Sequence, residues 1–296
     1  MIDFNDGEEK LNKFLGLESK TTVVYNGEVY MLKFPDPVLS RKSKDVLRYK
    51  YNQFSEHIGS SIFSACGFAA QETALGYFAD SFGKSCIVVG CKDFTQNGDV
   101  LYEFSKIANQ ITSSIDKLFS SIENVTFIIQ NSKLLKNKDN IIDSFWDMFV
   151  IDALIGNDDR HFDNWGVLEK VDGSVVFAPI YDCGSSLSAA FDDAMMTDLL
   201  SSHSDFEKEE LHLRSSYSVG GKRVQYYDIF NEPPDSLSKA VARTVPKINM
   251  DSIIGIVQSV DQISDVRKGY LEQAMSLRYE RMLLPALGKT SAPFSR

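Results

Sequence analysis

Eleven residues, GNDDRHFDNWG (Gly156 to Gly166), set five charged or titratable side chains between apolar flanks: Asp158, Asp159, Arg160, His161 and Asp163. FWDMFVIDALI precedes them and VVFAPIYD follows soon after. An apolar helix that ends in a dense polar loop and returns as strands must bury both flanks and leave the loop at a cleft. The rest of the chain can supply such a core. Of 296 residues, 43% are hydrophobic and 11% aromatic, as in a soluble globular protein of one large domain or two lobes. A net charge of −10, from 41 acidic and 31 basic residues, argues against a nucleic-acid partner, which needs a Lys/Arg surface. No stretch approaches the ~20 uninterrupted apolar residues of a membrane span, and the acidic start MIDFNDGEEK has no secretory character. Cys66, Cys86, Cys91 and Cys183 show no C-x-x-C spacing and suit reduced, buried thiols. A cytoplasmic protein without membrane partners is the expectation.

TTVVYNGEVYMLKF (Thr21 to Phe34) is two β-rich runs joined by Asn26-Gly27, a dipeptide suited to the positive φ of a type I′ turn. Pro35 and Pro37 end the second run. Lys44 to Cys66 has helical spacing, with Phe54, Ile58, Ile62 and Cys66 on one face and Gly67 as a stop. QETALGYFA and SCIVVGC are two further strands. The first ninety residues therefore predict a small antiparallel sheet with one long helix. Beyond Lys92–Asp99 the spacing predicts helices over Leu101–Ser121, Ile141–Ile155, Ser236–Val245, Asp251–Val260 and Ile263–Leu283, then a frayed tail, GKTSAPFSR. The expected fold is α+β and two-lobed. Residues 1–92 make a β-rich small lobe, residues 93–296 a helical large lobe, and Gly90–Thr95 the hinge.

Asp159 and Asn164 form D-x-x-x-x-N directly after a helix. Two strands around Asp172-Gly173 then deliver Asp182, in YDCG. This order suits phosphoryl transfer, which needs Mg²⁺ held against phosphates and a carboxylate facing the acceptor hydroxyl. Oxygen ligands such as Asn164 and Asp182 suit Mg²⁺. Lys33 is the charge within VYMLKF, and Glu56 lies on the apolar-faced helix that follows. Alone, Lys33 would be a snorkelling strand-end lysine; with Glu56 it forms the strand-lysine/helix-glutamate pair that positions α- and β-phosphates.

DRHFDN has the Asp-x-His-x-x-Asn form of HipA-like kinases, and APIYDCGSSL resembles their second motif. The similarity extends through YMLKFP, FSEHIG, QETALG, CKDFT and FWDMFV, over roughly residues 15 to 285. The resemblance implies a two-lobed, protein-kinase-like fold and an ATP- and Mg²⁺-dependent Ser/Thr kinase. It makes Asp159 the catalytic carboxylate, Asn164 and Asp182 the Mg²⁺ ligands, and Lys33 the phosphate contact. GLESK (Gly16 to Lys20) resembles the nucleotide loop, with Gly16 and Lys20 its defining residues. GCK (Gly90, Cys91, Lys92) resembles the adenine-binding hinge, and His161 falls in a nucleotide-contacting stretch. A protein substrate with a Ser/Thr acceptor, autophosphorylation, an antitoxin partner and a toxin-like or effector role are implied likewise. The typical HipA toxin carries an additional amino-terminal domain before the kinase core, whereas this sequence starts almost at the nucleotide loop. Lys13, Phe14 and Leu15 stand where some relatives carry an autophosphorylated serine, leaving Ser19, Thr21 and Thr22 as substitutes.

Other readings compete. Phosphoinositide kinases also use Asp-Arg-His-x-x-Asn; the acidic run from Ser188 to Leu213 disfavours an anionic headgroup, whereas Arg214, Lys222 and Arg223 favour one. Asp158, Asp159, His161 and Asp182 could instead form a metallohydrolase centre, and a nucleotide-binding module without turnover is a further alternative. His161 is equally a loop-bracing histidine, Asp158 and Asp163 are a helix-end and a solvated charge, and Asp152 braces the loop. Cys183 is a small buried filler, Trp146, Phe149 and Ile151 are core, and SDFEKEEL is a solvated helix start.

Overall fold

The computed structural model describes residues 1–11, 20–36, 50–79, 83–95, 98–111 and 121–291. The chain opens on β1 (Ile2–Asp3), a 3-10 turn (Phe4–Asp6) and β2 (Glu8–Lys10). The hairpin follows: β3 (Lys20–Tyr25) and β4 (Glu28–Lys33) meet at Asn26, φ 50°, and Gly27, φ 81°, the two positive values a type I′ turn requires. After α1 (Asn52–Ala65) come β5 (Thr73–Ala79) and β6 (Ser85–Lys92). Strand order is β1-β5-β6-β4-β3-β2, antiparallel throughout except where β1 joins β5 in parallel.

The expected antiparallel sheet thus gains a parallel edge, because the first ten residues form strands at both margins. Between these strands the peptide crosses the outer face and inserts Phe4, fully buried, among Val23, Leu32, Phe78 and Val88. Gly76 and Gly90 make the space: a Cβ at either would lie 2.5 or 2.4 Å from the Phe4 ring. On the inner face, Phe54, Ile58 and Ile62 of α1 pack with Leu75, Val89 and Cys91. Gly67, φ 81°, turns the chain away after Cys66. The anticipated helical residues before Lys50 lie outside the described residues.

Leu101 to Glu103, expected as helix, belong to β7 (Val100–Glu103), because pairing with β8 outweighs local helical spacing. Helix α2 (Phe104–Ile111) follows, then α3 (Ile122–Asn131), which the spacing had not indicated, and α4 (Lys138–Ile155). Strands β8 (Gly166–Glu169) and β9 (Val175–Phe177) form the second hairpin. Its loop runs from Lys170 to Ser174 with Gly173 alone at positive φ, a three-residue turn where Asp172-Gly173 had suggested two. Beyond it lie α5 (Asp193–Leu200), α6 (His203–Leu211), an unanticipated hairpin of β10 (Arg214–Val219) and β11 (Lys222–Gln225), α7 (Tyr226–Asn231), α8 (Asp235–Thr244), α9 (Met250–Gln258) and α10 (Asp265–Arg278). A π-helical turn, Tyr279–Leu283, carries α10 into α11 (Leu284–Ser291), so helix extends into the segment expected to fray. Trp146, Phe149 and Ile151 are core, in a cluster running from Phe54 in α1 to Ala286 in α11. Among the described residues no helix is long and apolar enough to cross a membrane.

Candidate active site

Helix α4 is apolar on nearly every side, so its end is buried, and its terminal groups need partners from the protein. Gly156, φ 66°, breaks the helix, and the Asn157 amide returns to the Asp152 carbonyl at 2.9 Å. Arg278 Nη1 donates to the Leu154 carbonyl, while Arg278 and the Tyr270 hydroxyl both bond Glu210. Glu210 is therefore a buried partner of Arg278, where SDFEKEEL had suggested a solvated helix start.

Asp152 braces the loop, as anticipated. Its carboxylate accepts from Asn157 Nδ2 (3.0 Å), Arg160 Nε (2.9 Å) and Arg160 Nη2 (3.1 Å). Arg160, 1% exposed, spends all five N–H bonds inside the protein. Besides the bonds to Asp152, Nη2 reaches Cys183 Sγ at 3.5 Å, and Nη1 donates to the carbonyls of Asn164 (2.8 Å) and Tyr181. One guanidinium nitrogen therefore joins the backbone of Asn164 to the residue before Asp182. The 3-residue hairpin brings these two loops within its reach.

Asn164 Nδ2 donates to the Asp159 carbonyl at 2.8 Å, which turns Oδ1 outward as an acceptor. The Asp159 side chain is about half exposed, and His161 lies 3.9 Å from it and 3.7 Å from Asp163. Tyr226 Oη donates to the Asn157 carbonyl and Arg223 Nη2 to that of Asp158, both at 2.6 Å. Across the cleft, Lys33 Nζ stands 2.9 Å from Glu56 Oε2 and 2.8 Å from Asp182 Oδ1. Asp182 has φ 59°, a conformation non-glycine residues seldom adopt. Burial alone would raise its carboxyl pKa; the charge and hydrogen bond of Lys33, with Lys20 and Arg160 nearby, outweigh this and hold it at about 2. Close packing fixes the neighbours. A Cβ on Gly59 of α1 would lie 2.7 Å from that of Cys183, and one on Gly184 would lie 3.2 Å from Glu56 Oε2. Cys183 is the buried filler expected, its thiol pushed up to about 12 by burial.

The structure thus brings together Lys33, Glu56, Asp182, Asn164 and the loop bearing Asp159 and His161. Lys20 opens β3 opposite Lys33, and its charge reaches Asp182. Gly16 and Ser19 lie outside the described residues; Thr22 is buried in β3. Gly90 and Cys91 stand mid-strand, paired with Leu32 and Met31 on one side and Ala74 and Thr73 on the other. Gly90 is glycine because Phe4 fills the space where a side chain would be. The Cys91 thiol lies on the cleft side, raised first by burial and also by Glu56. Lys92 ends β6 on the outer side, 3.2 Å from Glu28 and 3.3 Å from Glu72. The chain crossing to the large lobe begins after it.

Asn164 Oδ1 and the second carboxylate oxygen of Asp182 are hard donors on loops held by one arginine, a set that fits Mg²⁺ completed by substrate phosphates. The buried Glu56 Oε1 has no protein partner, so the pocket's polar capacity exceeds what its own side chains satisfy. Among the described residues no three His, Cys, Asp or Glu side chains gather as a metal cage, so the metallohydrolase grouping of Asp158, Asp159, His161 and Asp182 is not formed. Sequence reasoning missed the roles of Arg160, Arg278, Tyr226 and Arg267. Only Arg160 carried a signal, as the one cation amid the acids of the loop.

A curled small-lobe sheet with a lysine–glutamate pair, joined to a helical lobe bearing the Asp159–Asn164 loop and Asp182, is the fold of a kinase. The chain belongs to the HipA-like family: residues 14–249 match the HipA-like C-terminal domain. It is 31% identical over 290 residues to the serine/threonine-protein kinase CtkA of Helicobacter pylori strain J99, an alignment covering 95% of this chain and 86% of that protein. The crystal structure of the Helicobacter pylori proinflammatory kinase CtkA superposes with a TM-score of 0.88 at 29% identity, covering 99% of each chain. HipA of Shewanella oneidensis MR-1, solved with HipB and operator DNA, shares the fold with a TM-score of 0.52 at 13% identity, over 96% of this chain and 68% of that one.

Proposed function

We propose that the protein transfers the γ-phosphate of ATP, with Mg²⁺, to Ser/Thr hydroxyls of a protein substrate, and that it phosphorylates itself. The observation that carries this is the single guanidinium of Arg160 joining the Asn164 and Tyr181 carbonyls opposite the Lys33–Glu56 pair. In this reading Asn164 Oδ1 and Asp182 hold Mg²⁺, which when bound offsets negative charge developing on the phosphoryl oxygens. Lys33, kept in place by Glu56, supplies the fixed ammonium for the α- and β-phosphates. Asp159, half exposed at the mouth of the loop, orients the acceptor hydroxyl and takes its proton. Lys20 borders the phosphates, and the end of β6, Gly90 to Lys92, borders the adenine.

Relatedness to CtkA supports a protein acceptor. A lipid headgroup has less in its favour, because Arg223, one of the cations that favoured it, already donates to the carbonyls of Ser215 and Asp158. Purified protein incubated with ATP and Mg²⁺ and examined by mass spectrometry is expected to gain phosphate on Ser or Thr. Asp159→Ala should cut transfer ~10²–10⁴-fold, the usual loss for a positioned acid/base, while retaining thermal stabilisation by ATP and Mg²⁺. Transfer at the parental rate by that variant would remove Asp159 from the mechanism.

A further inference from the structure

Arg267, on α10, is 1% exposed, yet among the described residues no carboxylate lies within ion-pair distance of it. Its guanidinium carbon sits 3.6 Å above the Tyr51 ring, and Nη2 donates to the Phe191 carbonyl. Nε is buried with no hydrogen-bond partner. Burial lowers its pKa, opposed by Tyr51, Asp193 and Asp192. Such burial opposes folding unless it secures something.

What it secures is the entry to α1. Tyr51 is the residue before that helix, five positions ahead of Glu56. Its backbone amide donates to the Ala189 carbonyl at 2.8 Å. Asn52, next in line, ties the same turn to the exit of β4: Oδ1 accepts from the Asp36 amide and Nδ2 donates to the Phe34 carbonyl. One side of the turn is thus fixed to the strand of Lys33, and the other to the chain shortly after Asp182. Arg267 touches both halves of the second junction, the Tyr51 ring and the Phe191 carbonyl. Between Asp182 and Phe191 the chain also holds Leu187 and Ser188 at φ 55° and 50°, a strain that persists only where surrounding contacts enforce it.

We propose that Arg267 is a positioning residue: it clamps Tyr51 at the start of α1 to the segment Ala189–Phe191 and so sets Glu56, Lys33 and Asp182 in register. The clamp uses the planar face of the guanidinium over the ring and its edge toward the carbonyl, a combination an ammonium cannot reproduce. This inference rests on the kinase reading for its catalytic consequence, although not for the clamp.

The test uses the full chain as Arg267→Met, Arg267→Lys, Tyr51→Leu, Tyr51→Phe and the double variant Arg267→Met/Tyr51→Leu. Arg267→Met, Arg267→Lys and Tyr51→Leu are expected to lower kcat/KM for ATP by about 10²-fold, the effect of roughly 1 Å of misplacement. Tyr51→Phe, which keeps the ring, should stay near the parent. The double variant should be no worse than its more impaired single, because both remove one clamp. Hydrogen exchange should quicken over residues 52–58 in the impaired variants. Parental kinetics and exchange in Arg267→Met, or single effects that multiply in the double variant, would overturn the proposal. Should Arg267→Met fail to fold, Tyr51→Leu against Tyr51→Phe decides by the same two readouts. Should the parent transfer no phosphate, the kinase reading fails while exchange alone still decides the clamp.

Discussion

Arg160→Lys preserves a positive charge and changes only how it is presented. The arginine satisfies two Asp152 oxygens, the Asn164 and Tyr181 carbonyls and the Cys183 sulfur at once. An ammonium has three donors on a flexible stem and cannot span that fork. The shorter reach favours Asp152, whose charge demands a partner, and leaves the two carbonyls without a donor. A buried acceptor left unsatisfied costs about 1–3 kcal/mol, and the Tyr181 carbonyl, being only partly buried, sits at the low end. The expected loss is therefore about 2–5 kcal/mol. With about 2.1 cal/mol/K of unfolding entropy per residue over 296 residues, the melting temperature should fall by about 3–8 °C. Activity should suffer more than stability, because the lost bonds are those that hold the loops of Asn164 and Asp182 together. A drift of about 1 Å between them corresponds to about 10²-fold in rate. Differential scanning fluorimetry gives the first quantity, and initial rates across an ATP series at saturating Mg²⁺ give the second. A variant that melts with the parent and turns over at its rate would refute the role given to the fork.

Three further substitutions probe other parts of the structure. Phe4→Ala should cost about 3–5 kcal/mol, the range for emptying a buried aromatic site; Gly90→Ala should also destabilise by clashing with Phe4, and combining the two should recover part of the loss, as read by thermal melts of all three variants. Tyr226→Phe removes the hydroxyl donor to the Asn157 carbonyl and should cost about 1–3 kcal/mol, measurable by urea unfolding; no change would mean that the carbonyl finds another partner.

The sequence was most legible where local chemistry dictates conformation. Asn26-Gly27, the apolar face of α1 and the break at Gly156 depend on φ preferences and periodicity that a few neighbouring residues carry. Lys33 and Glu56 could be paired because a charge in an apolar strand and a carboxylate on an apolar helix face each require a partner. Long-range pairing was less visible. Leu101 to Glu103 have helical spacing but are strand because Leu168 and Val167 lie opposite. Glu210 stands in an acidic run that looks solvated, yet Arg278, 68 positions on, buries it. Gly90 was assigned to the nucleotide edge on family pattern; that it also accommodates Phe4 depends on a peptide whose composition gives no hint of a strand.

That opening peptide affects the order of assembly. Ile2 and Asp3 pair with Gly76 and Tyr77, Glu8 to Lys10 pair with Thr22 to Val24, and Phe4 packs against Gly90. These residues must therefore wait for chain made some seventy to ninety positions later before they are enclosed, a non-local closure of the kind that slows folding. Until then the Phe4 ring remains exposed to solvent. When it docks, both margins of the sheet are covered by short, charged strands that discourage pairing with another chain.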